Sequence, residues 1–174
     1  MPKNEKTSAK LKKDERAFSF IPLNAREGKP RKQGITEMRG PYYTPMGKRY
    51  LEDILETMGA YVDILKFAGG SFSLMPRKAV KELIDICHRY NVKVDTGGFI
   101  EHVLTLGVDA VDRYIGECKR LEFDIVEISG GFLSIPADDL VRLTEKVRKK
   151  GMMPKAEVGI QFGAGGASTV GELE

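Results

Sequence analysis

Four strand-like runs in this chain each end on a charged side chain with glycine close behind. Lys66 closes Val62-Asp63-Ile64-Leu65 and precedes Phe67-Ala68-Gly69-Gly70, while Asp95 closes Val92-Lys93-Val94 and precedes Thr96-Gly97-Gly98. Glu127 closes Asp124-Ile125-Val126 and precedes Ile128-Ser129-Gly130-Gly131, and Glu157 precedes Val158-Gly159 and the run Gly163-Ala164-Gly165-Gly166. An ammonium and several carboxylates can bind an anionic substrate, hold an ion and move a proton. Charge at the end of an apolar strand is costly to bury alone. Its repetition beside glycine implies one polar site shared by several strand exits, where parallel α/β proteins carry their chemistry.

Each residue also has a plainer reading. Lys66 can pair with Glu37 or Glu127 as a structural ion pair between neighbouring strands. Asp95 before Thr96-Gly97 is also ordinary turn chemistry. His102 reads as a surface or half-buried histidine, and His88, beside Arg89 near a helix end, as a solvated one. Cys87 and Cys118 fall on apolar helix faces and read as buried thiols rather than a disulfide framework. Gly69-Gly70-Ser71 shortly before Pro76 offers backbone N–H groups near a helix start, a favourable place for an anion. Gly163-Ala164-Gly165-Gly166 is not a phosphate-binding Walker loop, because no Gly-Lys-Ser/Thr follows.

The elements that must position these residues alternate strand and helix. Ile35 to Met38 reads as a first strand; Leu51, Ile54, Leu55 and Met58 repeat at helical spacing. A second strand spans about 61–67, and Pro76 opens a helix with Val80, Leu83, Ile84 and Cys87 on one face. A third strand covers about 92–95 and a short helix runs from Phe99 to Leu106. Val111, Tyr114, Ile115 and Cys118 mark the next helix. The fourth strand is about 124–128. Pro136 starts a helix carrying Leu140, Leu143 and Val147, with Lys146, Arg148, Lys149 and Lys150 at its end and Gly151 stopping it. A fifth strand follows at about 153–158. Such alternation predicts a parallel sheet with right-handed crossovers. It fits a five-stranded doubly wound sheet and part of a (β/α)8 barrel equally well.

At 174 residues the prior is one domain. Residues 1–32 hold ten Lys/Arg against four Asp/Glu, whereas the remainder holds 18 against 21. The net charge of +3 therefore belongs to the leader. We expect a basic, disordered tail over 1–32, a folded domain over 33–162 and a flexible glycine-rich end over 163–174. The opening residues lack the apolar core of a secretory signal, and no run approaches a membrane helix, so a cytoplasmic location is expected. Neither membrane nor nucleic acid is expected as a partner.

In order and spacing, Lys66-Phe67-Ala68-Gly69-Gly70, Thr96-Gly97-Gly98-Phe99-Ile100-Glu101, Glu127-Ile128-Ser129-Gly130-Gly131 and Glu157-Val158-Gly159 resemble the phosphosulfolactate synthase family. The resemblance runs from about Ile35 to Phe162. It implies a (β/α)8 TIM barrel of which this chain covers about strands 1–5. It implies addition of sulfite to phosphoenolpyruvate with Mg2+, giving (R)-2-phospho-3-sulfolactate, and a phosphoenolpyruvate-like small molecule as substrate. Lys66, Glu127 and Glu157 would then be catalytic, with Glu127 and Glu157 holding the metal. Arg39, Gly69, Gly70, Ser71, Asp95, Gly97 and Gly98 would bind substrate, and Glu37 could complete the ring. Homo-oligomerisation is compatible with this reading. One departure matters. Archaeal members follow the Glu-Val-Gly motif with a lysine pair, whereas this chain has Ile160-Gln161, and an amide cannot act as a general acid at neutral pH. The alternatives are a relative without synthase activity, with a stress-associated or binding role, or an inactive truncated fragment.

Overall fold

The computed structural model describes residues 16–40 and 46–157. Five strands form one parallel sheet: β1 (Glu37–Arg39), β2 (Ile64–Lys66), β3 (Lys93–Asp95), β4 (Ile125–Ser129) and β5 (Met153–Glu157). Between them lie α1 (Lys48–Met58), α2 (Arg77–Arg89), α3 (Ile100–Leu104), α4 (Val108–Leu121) and α5 (Ala137–Lys149). The first three strands are therefore shorter than expected and the fourth is shifted by one residue, but every expected strand and helix is present. Pro76 and Pro136 stand one residue before α2 and α5, at the N-cap. Lys146, Arg148 and Lys149 occupy the last turn of α5, where positive charge offsets the exposed carbonyls.

Strand order separates the two architectures that periodicity left open. The sheet runs β1-β2-β3-β4-β5 without reversal, whereas a doubly wound sheet reverses direction part-way. Curvature confirms the distinction. The Lys155 ammonium on β5 lies 2.7 Å from Glu37 Oε2 on β1. In a flat sheet those strands would be four spacings apart, about 19 Å. Side chains cannot span that gap, so the sheet must curl until its first and fifth strands face each other across a concave side.

Alternation along the strands assigns the two faces. Leu65, Val94, Val126 and Ile128 point outward into a core shared with Leu51, Leu55, Ile84, Cys87, Ile115 and Val147 of the helices. The opposite parity puts Glu37, Arg39, Lys66, Asp95, Glu127, Ser129, Lys155 and Glu157 on the concave side. Ile64 and Ile125 share that parity and are buried, yet lie outside the outer core. Cys87 and Cys118 are buried and free, and burial pushes both thiols up to about 12. They are packing residues, in line with the sequence reading.

Within the stretch expected as a disordered leader, Arg26, Lys29 and Arg31 grip the barrel end opposite the strand exits. Arg31 Nη1 lies 2.7 Å from Asp63 Oδ1, and both side chains are 6% exposed. Arg31 also donates to the Ala60 carbonyl, and Lys29 donates to the carbonyls of Gly59 and Tyr90 at the ends of α1 and α2. Orphan carbonyls at helix C-termini attract a cation. His88, expected to be solvated, is half-buried and lies 2.9 Å from Asp124 Oδ2. Asp124 also accepts from the Val94 N–H, so the pair secures the entry to β3 and is remote from the strand exits. The run Gly163–Gly166, Ile160 and Gln161 lie outside the described residues.

Candidate active site

The parallel register places Arg39, Lys66 and Asp95 side by side on β1, β2 and β3, with Glu127 and Lys155 paired on β4 and β5. Above them a cavity of about 280 Å³ opens at the strand exits. Arg39, Lys66, Gly69, Gly98, Glu127 and Glu157 line it, with Phe99, His102 and Phe132 as an aromatic wall. Strands β1, β2, β4 and β5 thus bring Arg39, Lys66, Glu127 and Glu157 to one cavity.

Four residues expected to touch substrate do not line this cavity: Gly70, Ser71, Asp95 and Gly97. Gly70 has φ +68°, and the Phe99 ring occupies the place its Cβ would take. A 3-10 turn, Ser71–Leu74, intervenes before α2, so Ser71 is not at the start of that α-helix. Gly97 has φ +62° and permits close approach of the Phe67 carbonyl, 2.4 Å from where a Cβ would stand. We expect Gly97→Ala to cost about 2–4 kcal/mol, from left-handed strain plus a backbone clash. Urea unfolding checks this against Gly28→Ala, where a Cβ meets open space.

Asp95 lies below the cavity, fully buried. Its Oδ1 accepts from the Gly97 N–H at 3.0 Å, and its Oδ2 is ion-paired with Lys155. Burial pushes the carboxyl up from its ordinary 3.8 to about 6 against the pull of Lys155. The folded state thus holds this proton more tightly than the unfolded chain. The associated stability is present below about pH 4 and is lost as pH rises through about 6. We expect this group to lower the unfolding free energy by about 2–3 kcal/mol between pH 4 and 7. Asp95→Asn should remove that slope while keeping an acceptor for Gly97; identical pH profiles for the two proteins would refute the assignment.

Two residues that the sequence reading did not assign to the site organise it. Lys155 lies 2.7 Å from both Glu37 Oε2 and Glu127 Oε2 and is also ion-paired with Asp95. Burial would lower its pKa, but the three carboxylates outweigh this and raise it. Period-two alternation back from Glu157 would have put Lys155 on the same face. Glu101, buried on α3, accepts from the Ser129 hydroxyl and from the N–H groups of Gly131, Phe132 and Leu133. It thereby shapes the loop after β4 and holds Phe132 over the cavity.

Glu127 is the hub. It is fully buried, and its Oε2 lies 2.7 Å from both Lys66 Nζ and Lys155 Nζ. Burial pushes its pKa up, but the two ammonium groups hold it below the usual carboxylate range. Both plain and functional readings of Lys66 thus apply: it pairs with Glu127 and, 20% exposed, also faces the cavity.

Residues 24–173 match the (2R)-phospho-3-sulfolactate synthase (ComA) family. The chain belongs to this family. The phosphosulfolactate synthase family is a (β/α)8 barrel, and the five-stranded curled sheet is the corresponding part of one. The chain is 40% identical over 144 residues to Protein HEAT-STRESS-ASSOCIATED 32 of Arabidopsis thaliana, covering 83% of this chain and 50% of that protein. It is 36% identical over 143 residues to the phosphosulfolactate synthase of Methanothermobacter thermautotrophicus, covering 82% and 54%. For the phosphosulfolactate synthase of Methanocaldococcus jannaschii the identity is 32% over 112 residues, covering 64% and 44%. The chain therefore spans about half the length of these curated relatives.

The magnesium ion implied by the family can be tested against the side chains present. Glu127 and Glu157 both line the cavity, and among the described residues the group of three site carboxylates whose ligand oxygens lie close together is Glu37, Asp95 and Glu127. The Lys155 ammonium is bound to all three. Magnesium requires oxygen ligands at about 2.0–2.1 Å in octahedral array. It cannot share that space with an ammonium group, so this cluster, as folded, does not fit the ion. Among the described residues, no helix is long and apolar enough to cross a membrane.

Proposed function

We propose that the strand-exit cavity binds phosphoenolpyruvate and adds sulfite to it, giving (R)-2-phospho-3-sulfolactate. The observation that carries this reading is the placement of Lys66 and Arg39 at the cavity beside a buried, ionised Glu127. Two cations on neighbouring strands suit a substrate with both phosphate and carboxylate. The cavity is at the small end of ligand pockets, which suits a compact metabolite.

The sulfite sulfur forms a bond to the methylene carbon. The π electrons of the double bond move to the neighbouring carbon and spread into the carboxylate. Lys66 and Arg39 stabilise that developing charge, and Glu127 holds Lys66 in place before the reaction begins. A proton then reaches the carbon from a group lining the cavity. Glu101 is committed to three backbone N–H groups and Glu127 is held ionised. Lys66, His102 and Glu157 are the remaining titratable side chains of the wall suited to this task.

The test is incubation with phosphoenolpyruvate and sulfite, with product followed by phosphorus NMR. A new phosphate ester that requires both substrates is expected. No product, together with no phosphoenolpyruvate binding by calorimetry, would overturn the reading. The likeness to the heat-stress-associated protein and Gln161 in place of lysine favour a second reading, a relative without synthase activity. Binding without turnover would select it.

A further inference from the structure

We propose that Lys155 is the resident cation of the barrel interior, and that the carboxylate cage it fills becomes a divalent-metal site when the lysine is removed. The cage is formed by Glu37, Asp95 and Glu127, whose ligand oxygens all lie within 4.8 Å of one another. Two of the three are fully buried. Three acidic groups alone would not define a site, since carboxylates often cluster without an ion. Here a cation is bound to every member, and Glu127 Oε1 is buried with no hydrogen-bond partner among the described residues.

Charge requires such a cation. Like charges this close repel strongly away from water, and each buried carboxylate needs a partner. Lys66 reaches Glu127, but no ion pair joins it to Glu37 or Asp95 among the described residues. Lys155 pairs with all three, and it does so from below the cavity, being absent from its lining. Lys155 is therefore a positioning residue. It neutralises much of the Glu127 charge, which leaves Lys66 able to serve an incoming anion. Carboxylate oxygens in this number and spacing suit a hard divalent cation of the magnesium or manganese class once the ammonium is gone. The inference rests on the cage and not on the identity of the substrate.

The test uses the full chain and Mn2+, followed by loss of the free-ion electron paramagnetic resonance signal. Wild type should show no site-specific Mn2+ binding. Lys155→Met should bind one Mn2+ at least about tenfold more tightly than wild type and melt at higher temperature when Mn2+ is present. Adding Glu127→Gln to Lys155→Met should abolish that binding. Two results would overturn the proposal. One is a single Mn2+ bound by wild type and lost in Glu127→Gln, which needs no Lys155 variant to fold. The other is Lys155→Met that binds no better than wild type, or that stays unfolded with and without Mn2+.

Discussion

Glu127→Ala is expected to lower folding stability by about 3–5 kcal/mol, the largest effect of any single change at this site. The carboxylate is fully buried and shared by Lys66 and Lys155 through one oxygen. Truncation leaves two cations facing each other across a void, with Lys155 dependent on Glu37 and Asp95. Loss of one partner in a buried ion cluster costs far more than the cluster's net contribution, because the remaining charge is uncompensated. Urea unfolding at pH 7 is the measurement, and a midpoint unchanged from wild type would contradict the hub role. Glu127→Gln keeps the volume and removes only the charge. The folded pKa of Glu127 lies below its ordinary value. Its stabilising contribution is therefore present above the ordinary carboxylate pKa and is lost as pH falls through the lower, folded value. The wild-type advantage over Glu127→Gln should be full at neutral pH and shrink in acid, opposite in sense to the Asp95 effect.

Under the proposed function, Lys66→Met is expected to reduce turnover of phosphoenolpyruvate and sulfite by about 10²–10³, the usual effect of losing one preorganised group that meets developing charge. Stability should change much less, because Glu127 keeps Lys155 as a partner. This separation distinguishes a substrate contact from a structural ion pair. Lys66→Arg keeps the charge but replaces a point cation with a planar fork, so partial activity is expected. Turnover within threefold of wild type for Lys66→Met would remove Lys66 from the chemistry.

Much of this organisation was legible from local pattern. Helical spacing of Val80, Leu83, Ile84 and Cys87 identified α2 and its buried face, because a 3.6-residue period depends only on neighbours along the chain. The charges on β2 and β4 pointed to Lys66 and Glu127 for a similar reason, that a buried charge requires a partner, although Glu127 stands in the middle of β4 and not at its end. Gly70, Gly97 and Ser71 were harder. Glycine before a helix suits an anion or a close packing contact equally, and only the position of Phe99 and of the Phe67 carbonyl separates the two.

The chain by itself determined the βα alternation, the two faces of each strand and the strand exits at which charge accumulates, because those follow from periods of two and 3.6 and from desolvation. Tertiary structure alone decided that the sheet curls, and curling brings Glu37 of the first strand onto Lys155 of the fifth across 118 residues of sequence. No local pattern encodes which distant side chains meet inside a closed curve. That meeting sets how the buried carboxylates are neutralised.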